Sequence, residues 1–218
     1  MEQSSPEYFI ESLLTDPRLQ FLTKYDLQIV IPRLGTFARL WDKWNRKISL
    51  TAEKEMALYI RNHFFVSFQF LKALGNPQGI VDIGSGAGLP GVPLKIIWPA
   101  IPMLLVESRR KRANFLKQVV RELSLENTVV MDSKVEDVGE TPFQIDTALF
   151  RAVADTKTCL EMASGILQSE GRVILIRTLE EASKDSPHPE YSRIDAIDVE
   201  DFNSNPLLLE CYKKHSNK

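Results

Sequence analysis

Four glycines within eight positions follow a short apolar run, in the stretch IVDIGSGAGLPG at residues 80–91. Glycine has no Cβ, so such a loop allows backbone amides to approach a bound ligand closely. Counted from Gly86, the loop matches the G-x-G-x-x-G motif of dinucleotide-binding proteins. Counted from Asp82, it is an acidic residue followed by the alternating glycines Gly84, Gly86 and Gly88. Both patterns indicate a nucleotide-like ligand, and a tight turn that serves only packing is the structural alternative.

Two carboxylate side chains bear on the choice between these two interpretations of the loop. A carboxylate at Asp82, two residues before Gly84, would repel a diphosphate but attract the cationic amino-acid end of S-adenosylmethionine. Glu107 ends the next apolar run, about 20 residues after Gly88, which suits a carboxylate that accepts hydrogen bonds from ribose hydroxyls in either cofactor. The sequence therefore favours S-adenosylmethionine as the cofactor, and a nicotinamide-dependent oxidoreductase is the weaker alternative.

The segments around the loop alternate between strand-like and helix-like patterns. Short runs rich in branched residues, separated by amphipathic segments of helix length, lie at 80–83, 103–107, 128–131, 145–150 and 172–177. This alternation predicts a parallel sheet with helices on both faces. The last two runs, near 194–199 and 207–212, are joined without a helix, which predicts an antiparallel C-terminal hairpin. We therefore predict an α/β fold, the Rossmann-like sheet of class I S-adenosylmethionine-dependent methyltransferases.

The N-terminal third of the chain has a helical pattern. Apolar residues recur there at steps of three and four, and Gly75-Asn76-Pro77 ends the pattern. Pro17 and Pro32 are expected at helix starts. We predict a helical extension over residues 1–75 that packs on a methyltransferase domain over residues 76–218. Trp41 and Trp44 are interpreted as helix packing rather than as platforms for nucleobases.

Composition limits the functional classes. The net charge of −2 and the pI of about 6.0 exclude a polycation, so any contact with nucleic acid must come from a local patch. The basic run Arg109–Arg112 is one such patch, or else an ordinary solvated helix face. With only Cys159 and Cys211 and no apolar stretch of membrane-spanning length, we predict a monomeric cytoplasmic protein without disulfide, metal or membrane partner.

The stretch VDIGSGAGLPGVPL, with WNRKISLTA (44–52) and NHFFVS (62–67) before it, resembles the glucose-inhibited division protein B family, also called RsmG. The resemblance continues through LLVESRRKRANFLKQV (104–119), SKVED (133–137) and FRAVADT (150–156), so it covers most of the chain. Members of this family methylate N7 of one guanine in bacterial small-subunit (16S) ribosomal RNA. The resemblance implies that activity, with S-adenosylmethionine as cofactor and 16S rRNA or the 30S subunit as partner.

The resemblance also assigns roles to single residues. Gly84 and Leu89 would line the methionine and adenosine side of the cofactor, and Arg151 matches the family arginine that reaches the cofactor site. The predicted cofactor-binding residues are Asp82, Gly84, Gly86, Gly88, Leu89, Glu107, Val135, Glu136 and Arg151. The predicted substrate-binding residues are Arg177, His63 and Arg61. The structural alternatives are a hydrogen-bonded core histidine at position 63 and a surface ion pair of Arg177 with Glu180 or Glu181. No catalytic residue is predicted, because guanine N7 carries an in-plane lone pair and attacks without losing a proton.

Several positions depart from the family pattern on the predicted RNA side. Val66 stands where the family has an aspartate, and Arg177-Thr178 stands where a Lys-Gly pair is expected. Asn205 lies in a hairpin turn that lacks the expected arginine. Ser49 replaces an asparagine of the family. Two alternatives therefore stay open: a small-molecule methyltransferase on the same sheet, and a catalytically weakened RNA-binding relative.

Overall fold

A mixed seven-stranded sheet organises the computed structural model, which describes residues 4–182 and 188–216. Within that part of the chain the strand order is β3-β2-β1-β4-β5-β7-β6. The strands are β1 (Ile80–Ile83), β2 (Met103–Val106), β3 (Thr128–Met131), β4 (Thr147–Arg151), β5 (Arg172–Thr178), β6 (Tyr191–Glu200) and β7 (Pro206–Lys214). The first five strands pair in parallel, and β7 pairs antiparallel with both β5 and β6. The predicted α/β sheet with an antiparallel C-terminal hairpin is confirmed.

Helices precede the sheet and connect its parallel strands, except that only a 3-10 turn lies between β3 and β4. They are α1 (Pro6–Leu14), α2 (Leu27–Ile48), α3 (Met56–Tyr59), α4 (Phe65–Gln69), α5 (Gly91–Ile97), α6 (Arg110–Glu122), α7 (Thr156–Ser164) and α8 (Leu179–Ala182). A π-helical turn (Ile60–Phe64) lies between α3 and α4, and 3-10 turns lie at Pro17–Lys24, Phe70–Lys72 and Val135–Asp137. The helical N-terminal third is therefore confirmed. Among the described residues, every helix is too short or too polar to span a bilayer.

The observed helix starts show which sequence signals determine where a helix begins. Pro17 does begin a helical turn, and the carboxylate of Asp16 caps it by accepting from the amide of Arg18. The prediction for Pro32 is wrong, because this residue lies inside α2. That helix begins at Leu27, where the side chain of Asp26 caps it by accepting from the amide of Gln28 at 3.1 Å. The capping hydrogen bond from Asp26, rather than the proline at position 32, therefore determines where α2 begins.

Apolar side chains cover both faces of the sheet. On one face the N-terminal helices pack on α5 and α6, with Phe37 stacked against Phe64 and Phe115 at ring-centroid distances of 5.8 and 6.3 Å. On the other face α7 buries Cys159 and Leu160. Trp41 is buried and stacks on Tyr59, and Trp44 donates to Gln118, so the packing interpretation of both tryptophans is confirmed. Cys159 and Cys211 are free and buried.

The strand order reverses between β1 and β4. Both strands run in the same direction, so their carboxyl ends, Ile83 and Arg151, lie at one edge of the sheet. Open α/β sheets bind ligands at this kind of switch point, in the crevice between the loops that leave the two strands. The crevice is where the predicted site residues should meet.

Candidate active site

The loop after β1 has the backbone of a ligand cradle. Gly84, Gly86 and Gly88 have φ angles of 73°, 55° and 81°, in the left-handed region that favours glycine. A Cβ at Gly84 would lie 2.9 Å from Val153 of the loop after β4, so this position also needs glycine for space. The alternating glycines of the sequence therefore match three backbone positions of unusual conformation.

Gly86 faces a space bounded by two oxygen atoms and one guanidinium nitrogen. The atoms nearest to a Cβ built there are Nη1 of Arg112 and the carbonyl oxygen of Gly84, both at 3.6 Å, and Oε2 of Glu107 at 4.0 Å. The carbonyl and the carboxylate can accept hydrogen bonds from a ligand and offset the charge of the arginine. A nucleoside with hydroxyl groups and a cationic end fits these residues.

Asp82 is buried beneath this loop, with an exposed fraction of 1%. Its Oδ2 accepts a hydrogen bond from the amide of Gly91 at 3.0 Å, at the start of α5. A Cβ at Gly91 would lie 2.6 Å from the same oxygen, so the fourth glycine of the run lets the helix approach the carboxylate. Burial raises the pKa of Asp82 to about 7. The charge of Asp82 thus acts from below the loop, and Gly91 is a site residue that the sequence analysis missed.

Glu107 connects the loop to the end of β2. Its Oε2 accepts from the amide of Gly86 at 3.0 Å, and its Oε1 accepts from the amide of Arg109 at 2.7 Å. The side chain is almost completely buried. A carboxylate oxygen has two lone pairs, so each oxygen can still accept from a hydroxyl group.

The remaining predicted cofactor residues lie around this edge. Leu89 is buried in the glycine loop, and Val135 and Glu136 form the 3-10 turn that follows β3. Val135 is buried, whereas Glu136 is exposed. The side chain of Glu136 is thus accessible from solvent, and the cofactor-binding roles of both residues stay predictions.

Arg151 ends β4 and reaches toward the N-terminal helices. Its Nη2 lies 2.9 Å from Nδ1 of His63, and its Nη1 donates to the carbonyl oxygen of His63 at 3.3 Å. Burial lowers the pKa of Arg151 to about 10. On its other side, His63 Nε2 lies 2.8 Å from Oε2 of Glu53. The structure therefore brings His63 to Arg151, and it adds Glu53, which the sequence analysis did not single out.

A cavity of about 390 Å³ opens beside Arg151, between the π-helical region, the ends of β4 and β5, and the C-terminal hairpin. It is lined by Asn62, Val66, Arg151, Ala152, Ile176, Arg177, Thr178, Glu181, Asp201, Asn203 and Leu207. Arg177 has an exposed fraction of 8% and donates from Nη2 to the carbonyl oxygen of Ala154 at 2.8 Å. Its buried Nε–H has no hydrogen-bond partner among the described residues. Arg61 lies outside this lining, exposed, with its guanidinium 5.6 Å from the ring centroid of Phe202.

Three of the positions that depart from the family pattern, Thr178, Asn205 and Ser49, have local structural roles. Thr178 caps α8, because its hydroxyl accepts from the amide of Glu181 while the carboxylate of Glu181 accepts from the amide of Thr178. Asn205 closes the hairpin turn through two hydrogen bonds to Asp201. Ser49 ends α2 with a φ of 50°, a left-handed position for which asparagine is better suited.

An arginine does reach the hairpin turn, but it comes from the other end of the chain. Arg18 donates to the carbonyl oxygens of Asp201 and Phe202 and to the hydroxyl of Ser204. Its guanidinium also lies 4.5 Å from the ring centroid of Phe65. This long-range contact fixes the turn that forms one wall of the cavity, and no spacing in the sequence indicates it.

Sequence comparisons match most of this chain to one family. The family model described as rRNA small subunit methyltransferase G (GidB) matches residues 30–205. Ribosomal RNA small subunit methyltransferase G of Lactococcus lactis subsp. cremoris (strain SK11) is 34% identical over 173 residues, which cover 74% of this chain and 72% of the relative. The protein of the same name from Geobacter sp. (strain M21) is 36% identical over 148 residues, which cover 66% of this chain and 67% of the relative.

Comparisons of structure bear on the fold. A SAM-dependent methyltransferase from Aquifex aeolicus superposes with a TM-score of 0.54 at 14% identity, covering 72% of this chain and 93% of that one. A mutant of MtNAS in complex with S-adenosylmethionine superposes with a TM-score of 0.57 at 15% identity, covering 96% of this chain and 88% of that one. These similarities confirm the predicted class I methyltransferase fold.

Proposed function

The chain belongs to the rRNA small subunit methyltransferase G family, and from this premise we propose that it transfers a methyl group from S-adenosylmethionine to N7 of a guanine in 16S ribosomal RNA. The observation that carries the proposal is the glycine cradle at the switch point, with two buried carboxylates, Asp82 and Glu107, against it. The predicted monomeric state, absence of a metal and cytoplasmic location remain predictions.

The cofactor is assigned to the crevice between the glycine loop and the ends of β2, β3 and β4. When bound, S-adenosylmethionine supplies an electrophilic methyl group on a sulfonium. The chain contributes the amides and open space of the loop, the charges of Asp82 and Glu107, and the apolar contacts of Leu89 and Val135. An electronegative crevice stabilises a cation without a direct ion pair.

The target base is assigned to the cavity beside Arg151, which shares a wall with that crevice. Guanine N7 needs no general base, so the task of the chain is to orient the ring, and correct orientation alone contributes several kcal/mol to a bimolecular transfer. A donor on N7 would block the nucleophile, which leaves O6 as the acceptor for an arginine. Arg177, which lines this cavity, is the arginine that we assign to O6.

The test is methyl transfer to 30S subunits and to free 16S rRNA from a strain that lacks this protein, followed by mass-spectrometric mapping of the modified nucleotide. We expect one 7-methylguanosine, lost in G86D, which places a carboxylate in the cradle. R177Q should raise the KM for RNA about tenfold or more, because a hydrogen bond from a charged donor contributes about 1.5–3 kcal/mol. Cofactor binding without methyl transfer would support a catalytically weakened RNA-binding protein. Methyl transfer only to small molecules would support a small-molecule methyltransferase.

A further inference from the structure

A continuous chain of hydrogen bonds joins the N-terminal helical segment to the candidate cofactor site. Glu53 Oε2 lies 2.8 Å from His63 Nε2, and His63 Nδ1 lies 2.9 Å from Nη2 of Arg151. The three side chains come from the loop after α2, from the π-helical turn and from the end of β4. The sequence analysis interpreted His63 as a substrate-binding residue, whereas both ring nitrogens already have protein partners.

The chemistry of the partners fixes the protonation of the imidazole. A guanidinium has donors only, so Nδ1 of His63 must accept and carries no proton. The proton of the neutral ring therefore resides on Nε2, which donates to the carboxylate of Glu53. Burial, followed by the charge of Arg151, lowers the pKa of His63, which agrees with a neutral ring. A protonated ring would direct an N–H at the arginine and would break this contact.

The sequence around Glu53 and His63 is built to hold this arrangement. Asn45 shapes the loop after α2, because its side chain accepts from the amide of Thr51 and donates to the carbonyl oxygen of Glu53. The hydroxyl of Ser67 donates to the carbonyl oxygen of His63, which also accepts from Arg151. His63 itself lies in a π-helical turn, an irregularity that often occurs at functional sites.

Arg151 depends on this arrangement for its charge balance. The structure places no carboxylate within ion-pair distance of Arg151 among the described residues. The groups that favour its charge electrostatically are the hydroxyl of Tyr59 and the carboxylates of Glu53 and Asp82. A free arginine side chain also has many rotamers, and a ligand would otherwise have to overcome the loss of that entropy when it binds.

We propose that Glu53 and His63 are positioning residues that hold Arg151 in its cofactor-binding orientation, so that the N-terminal helical segment sets the affinity for the cofactor. This inference rests on the proposed role of Arg151 in cofactor binding. It gives the WNRKISLTA and NHFFVS stretches one shared function, which is to support Arg151. It also assigns His63 to cofactor binding instead of RNA binding.

The test is a double-mutant cycle with H63Q, R151Q and the double variant, read as the Kd for S-adenosylhomocysteine by calorimetry. This product lacks the sulfonium charge, so a change in the overall potential of the site has little effect on it. We expect H63Q and R151Q each to weaken binding about tenfold, or about 1.4 kcal/mol, and the double variant to bind no worse than R151Q alone. H63N keeps an acceptor close to the position of Nδ1 and should retain most of the affinity.

The controls separate the competing explanations. E55Q removes an exposed carboxylate two residues from Glu53 and should leave binding unchanged, whereas E53Q should weaken it. Additive effects in the cycle, or a lowered melting temperature with an unchanged Kd, would overturn the proposal. So would a raised KM for RNA with an unchanged Kd in H63Q, because it would mean that His63 contacts the substrate. A wild-type chain that binds neither the cofactor nor its product would instead refute the proposed function.

Discussion

At the scale of single residues, Asp82 shows how an acidic group can serve a cationic ligand without touching it. The carboxylate is buried, accepts from the start of α5 and lies directly beneath the glycine loop. Burial raises its pKa to about 7, so the free protein holds this group close to half-protonated at neutral pH. A cation bound above the loop favours the ionised form. Cofactor binding and the loss of one proton are therefore linked.

This linkage predicts pH-dependent affinity for S-adenosylmethionine. As the pH falls from 8 to 6, Asp82 gains its proton, and the Kd should rise about tenfold because a pKa near 7 leaves about one tenth of the group ionised at pH 6. Calorimetry in buffers of different ionisation enthalpy should detect proton release upon binding near neutral pH.

D82N is the control variant and should bind weakly at every pH from 6 to 8.

The raised pKa of Asp82 also affects the stability of the free protein. Between the unfolded value of 3.8 and about 7, the folded chain binds more protons than the unfolded chain, so this contribution to the free energy of unfolding is lost as the pH rises. D82N should remove that slope. A wild-type Kd that stays constant from pH 6 to 8 would contradict the linkage.

At the scale of elements, helix α6 begins with a charge pattern that helix energetics disfavour. Arg110, Lys111 and Arg112 occupy its first turn and Arg109 precedes them, with no acidic residue there. Cations at this end oppose the helix dipole at a typical cost of 0.3–1 kcal/mol each at an exposed surface. Arg109, Arg110 and Lys111 are exposed beside the glycine loop. A polyanionic substrate explains this arrangement better than folding does.

We therefore expect the exposed start of α6 to contact RNA phosphates. The double variant R110Q/K111Q should raise the KM for 30S subunits, reduce the slope of log affinity against log salt by about 1–2, and leave the cofactor Kd unchanged. Its melting temperature should stay equal or rise, because the unfavourable dipole interaction is removed. K157Q, which removes an exposed cation on α7, serves as the matched control. An unchanged salt slope would show that this basic run is only a solvated face.

The sequence predicted each strand, because runs of branched residues between turn signals have few other stable arrangements in a parallel sheet. Helix starts were harder to predict, because α2 begins at the capping residue Asp26 and not at Pro32. The cofactor loop was predictable because its glycines occupy alternate positions of one short segment. The contacts of Glu53 and Arg18 were not predictable, because their partners lie 10 and more than 180 residues away in the sequence. Contacts of that kind depend on the fold as a whole.

At the scale of the whole molecule, the N-terminal helices and the sheet share one apolar core. Phe37 of α2 stacks on Phe64 and Phe115, and a Cβ at Gly88 would lie 3.2 Å from its ring. The predicted division at residues 75 and 76 therefore runs through a continuous packing layer. Support for the glycine loop and support for Arg151 both come from the same N-terminal segment.

We expect this shared core to make the chain unfold as one cooperative unit. F37A should lower the free energy of unfolding by about 3–5 kcal/mol, the usual cost of removing a buried phenylalanine, and should also weaken cofactor binding because the ring supports the glycine loop. I29A truncates a side chain of the same helix that is 59% exposed, and it should change stability by less than about 0.5 kcal/mol. Urea unfolding followed by far-ultraviolet circular dichroism and by tryptophan fluorescence measures both effects. Two separate transitions, with F37A shifting only one of them, would mean that the helical segment and the sheet fold independently, and the N-terminal segment could then not set the geometry of the cofactor site.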